Sequence, residues 1–282
     1  MQKLIVLFIF LLISEQHILS QISDSTLTQK HQVLSDRYII NSGIFVTLKS
    51  VILDVGGDLP STPIDFGQSL GLKRQQNTFS LNFNWRFSKQ KKWYLGIEYF
   101  GVKNNQNVVL EDEIKWSNTI YPIGVELDAG FGIVLYRLFF GRVISRGKQH
   151  ELSGGLGLHA MNINTFVQGK AYLQDLDYQL DTEKKKLHVL APIPNIGFRY
   201  IYAPNVRLAM SAQVDWFSLT IGDYSGTLWN VAPEVSFQVF NNIGIGLGYR
   251  YFKANFNMNR KLWKGSTDLL YQGPLLTLSG SF

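Results

Sequence analysis

The sequence predicts an all-β protein: a transmembrane antiparallel β-barrel of ten strands that follows a cleaved signal peptide. Three observations predict it. The first twenty residues have the order of an export signal, no later stretch is long and apolar enough for a membrane helix, and apolar residues thereafter alternate with polar ones.

Residues 1–20 supply the signal. Lys3 is the positive n-region, Leu4 to Ile13 is an unbroken apolar run, and Ser20 is a small residue before Gln21. That run is about half of what a membrane-crossing helix needs. Residues 21–40 read as a periplasmic lead-in, and 41–282 as the barrel.

Period two belongs to strands with two different faces. In residues 78–87, Phe79, Leu81, Phe83, Trp85 and Phe87 oppose Ser80, Asn82, Asn84 and Arg86. Residues 206–216 and 228–239 repeat the pattern. Reading on gives strands near 41–53, 77–87, 93–103, 124–140, 150–166, 194–202, 206–220, 227–240, 244–256 and 269–282. Most reach the nine to eleven residues, roughly, that a tilted strand needs to cross a bilayer.

The connections alternate in length. Short ones fall at Ser88–Lys92, Arg146–Lys148, Ala203–Asn205 and Asn241–Ile243. Long ones are expected at about 54–76, 104–123, 167–193 and 257–268, with a shorter exception at Gly222–Gly226. Short turns on the periplasmic side and long loops outside are the habit of outer-membrane barrels. Aromatics gather at strand ends in two sets: Trp85, Phe87, Trp93, Phe139, Phe140, Tyr200, Tyr202, Phe237 and Phe240 by the turns, and Trp216, Trp229, Tyr251 and Tyr271 toward the loops. The alternating last strand ends in Phe282, which is similar to the signal by which barrel assembly machinery recognises such chains.

A resemblance follows from longer motifs. LDVGG at 53–57, IDFGQSLGL at 64–72, FSLNFNWRFSKQKKWYLGIEYF at 79–100, GGLGLHAMNI at 154–163, APIPNIGFRY at 191–200, GDYSGTL at 222–228 and YQGPLLTLSGSF at 271–282 carry it. On these the chain, from about Leu53 to Phe282, resembles a functionally unassigned family of Gram-negative outer-membrane β-barrel proteins. The resemblance implies a barrel and brings no catalytic residues.

Composition narrows the chemistry. The chain has no cysteine, which excludes a lipoprotein anchor, a disulfide framework and thiolate sites. Its net charge is +6, and basic residues cluster in turns and loops at Lys89, Lys91 and Lys92, at Lys184, Lys185 and Lys186, and at Arg260, Lys261 and Lys264. Such clusters suit lipid or lipopolysaccharide phosphates, although solvated loop charge is the commoner explanation. Dispersed charge on an exported chain gives no support to nucleic-acid binding.

No metal, cofactor or catalytic set emerges. The G-x-G-x-G run at Gly244, Gly246 and Gly248 precedes no helix, so it reads as lumenal glycine on a strand and not as a phosphate cradle. Alternation assigns Arg86, Glu98, Asp128, His159, Arg199, Asp215, Glu234 and Arg250 to the lumen. A selective pore favours rings of one sign; this mixed set reads as an interior charge network that conducts poorly. Within it, the turn at Asn241–Ile243 suggests Glu234 opposite Arg250.

The leading expectation is a structural barrel, or a narrow small-solute channel or binding barrel. Two alternatives stay open. One is a rim hydrolase for lipid or peptide using Asp215, Asp223, Tyr224 or His188; the other is a soluble exported β-sandwich.

Overall fold

A computed structural model describes residues 30–55, 63–88, 90, 92–116, 119–173, 178–260 and 263–282. The expected signal peptide and the first part of the lead-in lie outside them. Ten long strands make the wall: β1 (Tyr38–Val55), β3 (Gln75–Phe87), β4 (Trp93–Val109), β7 (Glu126–Arg146), β8 (His150–Leu173), β9 (Tyr178–Tyr202), β10 (Leu208–Ile221), β11 (Tyr224–Phe240), β12 (Ile243–Arg260) and β13 (Trp263–Ser281). Three short strands, β2 (Ile64–Asp65), β5 (Ile114–Trp116) and β6 (Thr119–Tyr121), lie in the long connections.

Each long strand pairs antiparallel with its chain neighbours, and β1 pairs β13, so the sheet closes on itself. Ile39 lies opposite Ser281 and Val55 opposite Gly265. One closed sheet replaces the two packed sheets of the sandwich alternative. No helix among the described residues is long and apolar enough to cross a membrane, which leaves a β-barrel unaffected.

Alternation sorts the side chains. Outward positions such as Ile40, Ile44, Phe79, Leu81, Leu138, Phe198, Val235, Leu247, Leu276 and Leu278 are large, apolar and exposed. A belt of this kind costs free energy in water and suits hydrocarbon.

The turn end is tightly built. Asn205 Oδ1 accepts from the backbone N–H of Arg207 (2.9 Å) and Leu208 (2.8 Å), the local side-chain bond that makes asparagine a turn former. The opposite end differs from expectation. Residues 167–193 and 257–268 are mostly strand, because β8–β9 and β12–β13 continue as paired hairpins well beyond membrane length. The loops at 54–76 and 104–123 fold inward in part: Phe66, Leu70 and Leu72 are buried inside the barrel with Ile114, Trp116 and Tyr121.

Two aromatic assignments are corrected. Phe139 and Tyr271 have inward parity and are buried, so neither belongs to a girdle. Trp216 and Trp229 do face outward, directly opposite one another on β10 and β11.

The lead-in also differs where it is described. A single helical turn, α1 (Gln32–Ser35), sits within the turn-side mouth, and β1 starts at Tyr38 and not at 41. Leu34 packs on inward-facing Ile201, Ala203 and Ala209. Gln32 Oε1 accepts from Gln238 Nε2 (3.1 Å) and Ser281 Oγ (3.3 Å), and Arg86 donates to the Asp36 carbonyl (3.0 Å).

Candidate functional site

The interior is layered along the barrel axis. Above α1, Glu151 accepts from Arg86 (2.9 Å) and from Arg146 (2.8 Å). Higher up, four charges run across the lumen in alternating sign. Arg250 reaches Glu98 Oε2 (3.0 Å), Arg137 reaches Glu98 Oε1 (2.9 Å), and the other end of Arg137 reaches Asp215 Oδ1 (2.7 Å). Gln213 donates to Glu98 (2.7 Å) and Asn230 to Asp215 (2.8 Å), so the carboxylates are well bonded in a buried setting.

Strand register explains the layer. Glu98, Arg137 and His159 lie directly opposite in sequence across β4, β7 and β8. Asp215 lies opposite Gly197 and Asn230. A Cβ at Gly197 would come within 2.3 Å of Asp215 Oδ1 and 2.4 Å of the Phe139 ring; glycine leaves the carboxylate its space. His159 is buried, its Nδ1 is 2.9 Å from Asn195 Oδ1, and its Nε2 stays 3.9 Å from Asp215.

The eight charges assigned from sequence therefore divide. Arg86, Glu98, Asp215 and Arg250 are in the two networks, with His159 beside the upper one. Arg199 and Glu234 line a small polar cavity of about 50 Å³ below it.

Asp128 is a correction. It is exposed, and it shares the outward parity of Tyr136 and Leu138, while its neighbours Leu127 and Ala129 are buried. The Glu234–Arg250 pair is a second correction. Glu234 lies opposite Gly248 and accepts from Thr277 (3.3 Å), while Arg250 lies opposite Gly273 and bonds Glu98. The β11–β12 turn is tighter than assumed, pairing Phe240 with Ile243 and then shifting register by a bulge.

Arg137, Glu151 and Arg146 join the networks without having been among the charges expected from the sequence. Glu151 shares the parity of His159, and that signal was available. Arg137 had none, because β7 is apolar on both faces.

Above the charge layer the lumen turns apolar. Phe45, Phe100, Phe131, Met161, Leu228, Phe252, Leu269 and Tyr271 fill it together with the infolded loop residues. To one side of this packing lies a cavity of about 510 Å³. Leu53, Leu187, Val189, Ile193, Phe217 and Phe256 give it apolar walls, and Asp54, Asn257, Ser266 and Thr267 are at its polar edge.

The groups suggested for a rim hydrolase are not brought together. Asp215 is in the buried charge layer, Asp223 is exposed in the β10–β11 turn, and His188 is exposed on β9 with Nε2 3.0 Å from Asn162. The Tyr224 side chain lies outside the described residues.

No family model and no curated protein matches the chain. Among solved structures, it is similar to the outer membrane protease OmpT of Escherichia coli, at TM-score 0.55 and 10% identity over 88% of this chain and 97% of that one. The toluene transporter TodX of Pseudomonas putida matches at TM-score 0.37 and 8% identity, over 92% and 94%. The outer membrane protein OprG of Pseudomonas aeruginosa matches at 0.37 and 14%, over 91% and 98%. The first likeness speaks to the fold, a closed barrel of the outer-membrane type; the other two add nothing to it.

Proposed function

We propose that this is a non-enzymatic outer-membrane protein that binds a small apolar molecule at its loop end and conducts ions poorly. The observation that carries the reading is the apolar cavity of about 510 Å³ standing above a lumen crossed by buried charge pairs. Its volume falls within the roughly 300–1,000 Å³ of small-molecule sites, which are mostly apolar with a few polar groups. A wide channel would need an aqueous path, and here α1, the charge layer and the apolar packing succeed one another along the axis.

The outward apolar belt supports residence in the outer membrane. The resemblance to the unassigned barrel family agrees with it. Phe282 would serve the assembly machinery as a recognition signal, and the loop lysines would meet lipopolysaccharide phosphates.

Two measurements test the reading on purified, refolded protein. Titration with N-phenyl-1-naphthylamine should give saturable fluorescence enhancement that Ala191→Trp abolishes, since Ala191 lines the cavity. Planar bilayers should show no stable porin-like steps. Large steps, or enhancement unchanged in the variant, would defeat it.

A further inference from the structure

The barrel wall is not paired to its full height. β9 and β10 are joined from Tyr202–Met210 up to Ile196–Trp216. Beyond that, β9 pairs with β8 alone and Phe217–Ile221 with β11 alone. The β3–β4 ladder also ends early, at Ser80–Phe100. There the side chains of Thr78 and Gln76 donate to the carbonyls of Gly101 and Lys103 and bridge the strands. No such bond crosses between the described residues of β9 and β10.

The sequence equips this gap. Pro192 and Pro194 have no N–H to give, so β9 carries fewer unpaired donors where it parts from its neighbour. That matters wherever the gap meets hydrocarbon, which has no water to satisfy an orphaned N–H. Across the gap, Phe217 and Leu219 have the inward parity of Asp215. Leu219 is nonetheless 46% exposed, because no strand pairs with it on the β9 side.

The gap opens into the apolar cavity, whose lining includes Ala191, Pro192 and Ile193 on one lip and Phe217 and Leu219 on the other. Its height fits a membrane boundary. Trp216 and Trp229 face outward at the last paired level, as interfacial tryptophans do. On β9 the outward face is apolar at that level, at Ile196, and stays apolar above it, through Pro194 and Pro192 to Leu190. It then turns basic at His188, Lys186 and Lys184.

We propose that the gap is a side entrance through which one alkyl chain of an anionic amphiphile in the outer leaflet reaches the cavity. This rests on the binding-barrel reading. The apolar lip guides the chain, the cavity takes it, and the basic residues above Leu190 hold a phosphate or carboxylate head group at the surface.

The test uses two photoreactive probes on the full mature chain. One is a phosphatidylglycerol with a diazirine in one acyl chain, in phosphatidylcholine vesicles holding the protein. The other is diazirine-bearing palmitate added to the protein in detergent. Adducts are mapped by mass spectrometry. The lipid probe should label inward-facing Leu187, Val189 or Leu219 as well as outward-facing Phe198 and Leu247. Ala191→Trp should lose the inward adducts and keep the outward ones, which also report that it has folded. Inward labelling that persists in the variant overturns the proposal. So does lipid labelling confined to outward residues while palmitate labels the cavity, an outcome that leaves the binding barrel standing. If neither probe labels an inward residue, both readings fail.

Discussion

Arg137 and Asp215 meet across the interior of the barrel and not along its wall. Their 2.7 Å contact joins β7 to β10, with β8 and β9 between them in the sheet. The same guanidinium holds Glu98, its neighbour in register, at 2.9 Å. One side chain thus ties the wall to a distant part of itself through a buried ion network.

Removing that arginine should be costly. Arg137→Ala leaves Glu98 with Arg250 as its one guanidinium and Asp215 with none, and both carboxylates remain buried. Breaking such a pair from one side typically costs about 3–5 kcal/mol. The expected result is a lower denaturant midpoint for unfolding in detergent, read by tryptophan fluorescence. A midpoint equal to wild type would mean that water reaches the layer and screens it.

Gly197→Ala addresses the same contact from the other strand. The new methyl would press on Asp215 Oδ1 and on the Phe139 ring, both held in place by Arg137, which stacks 4.4 Å over that ring. Overpacking of this kind costs about 1–3 kcal/mol. Its effect should shrink in an Arg137→Ala background, a non-additivity that a double-mutant cycle would detect.

Register can be checked chemically, because the chain has no cysteine of its own. Val235 and Leu247 face outward and lie directly opposite. The pair Val235→Cys/Leu247→Cys should form a disulfide under mild oxidant, whereas Val235→Cys/Tyr249→Cys should not. The reverse preference would restore the register expected from the longer turn.

The α1 plug should respond to pH. His31 caps α1, its Nδ1 accepting from Val33 N–H at 3.1 Å. Burial lowers its pKa below the usual 6.5, outweighing the raising effects of a hydrogen bond with the Arg207 backbone and of nearby Asp36. The seated helix therefore holds a neutral imidazole, and the released segment takes up the proton more readily. Seating is fully stable above the ordinary histidine pKa and weakens as pH falls through it toward the lowered value. Because intrinsic exchange slows as pH falls, the readout is the protection factor at residues 32–36, which should show an excess loss between about pH 8 and about pH 5. His31→Asn, which can keep the cap, should remove that excess.

Sequence legibility followed the contrast between the two faces of each strand. In β3, Phe79 to Phe87 against Ser80 to Arg86 displays both faces, and the strand is readable to within two residues. In β7, Phe131, Ile133 and Leu135 point inward while Val134, Tyr136 and Leu138 point outward, so period two disappears. There nothing in the pattern tells the two faces apart, so it does not show that Asp128 points outward and Arg137 inward. The apolar upper lumen is the physical reason: a barrel dry on both faces gives its strands no alternation to show. The gap between β9 and β10 is a property of two strands that fail to pair, which no single-strand pattern reports, although Pro192 and Pro194 mark the place.

The β1–β13 seam also sets the order in which the barrel can form. Ile39 must find Ser281, and Phe45 must find Leu275, across nearly the whole length of the wall. Contacts of such separation carry a large chain-closure entropy and are made late and slowly. Until they form, β1 and β13 are two bare edges, free to pair with the wrong strand or with another chain. Folding of this protein is therefore most exposed to aggregation just before closure, and anything that shields those two edges will raise its yield more than it raises its final stability.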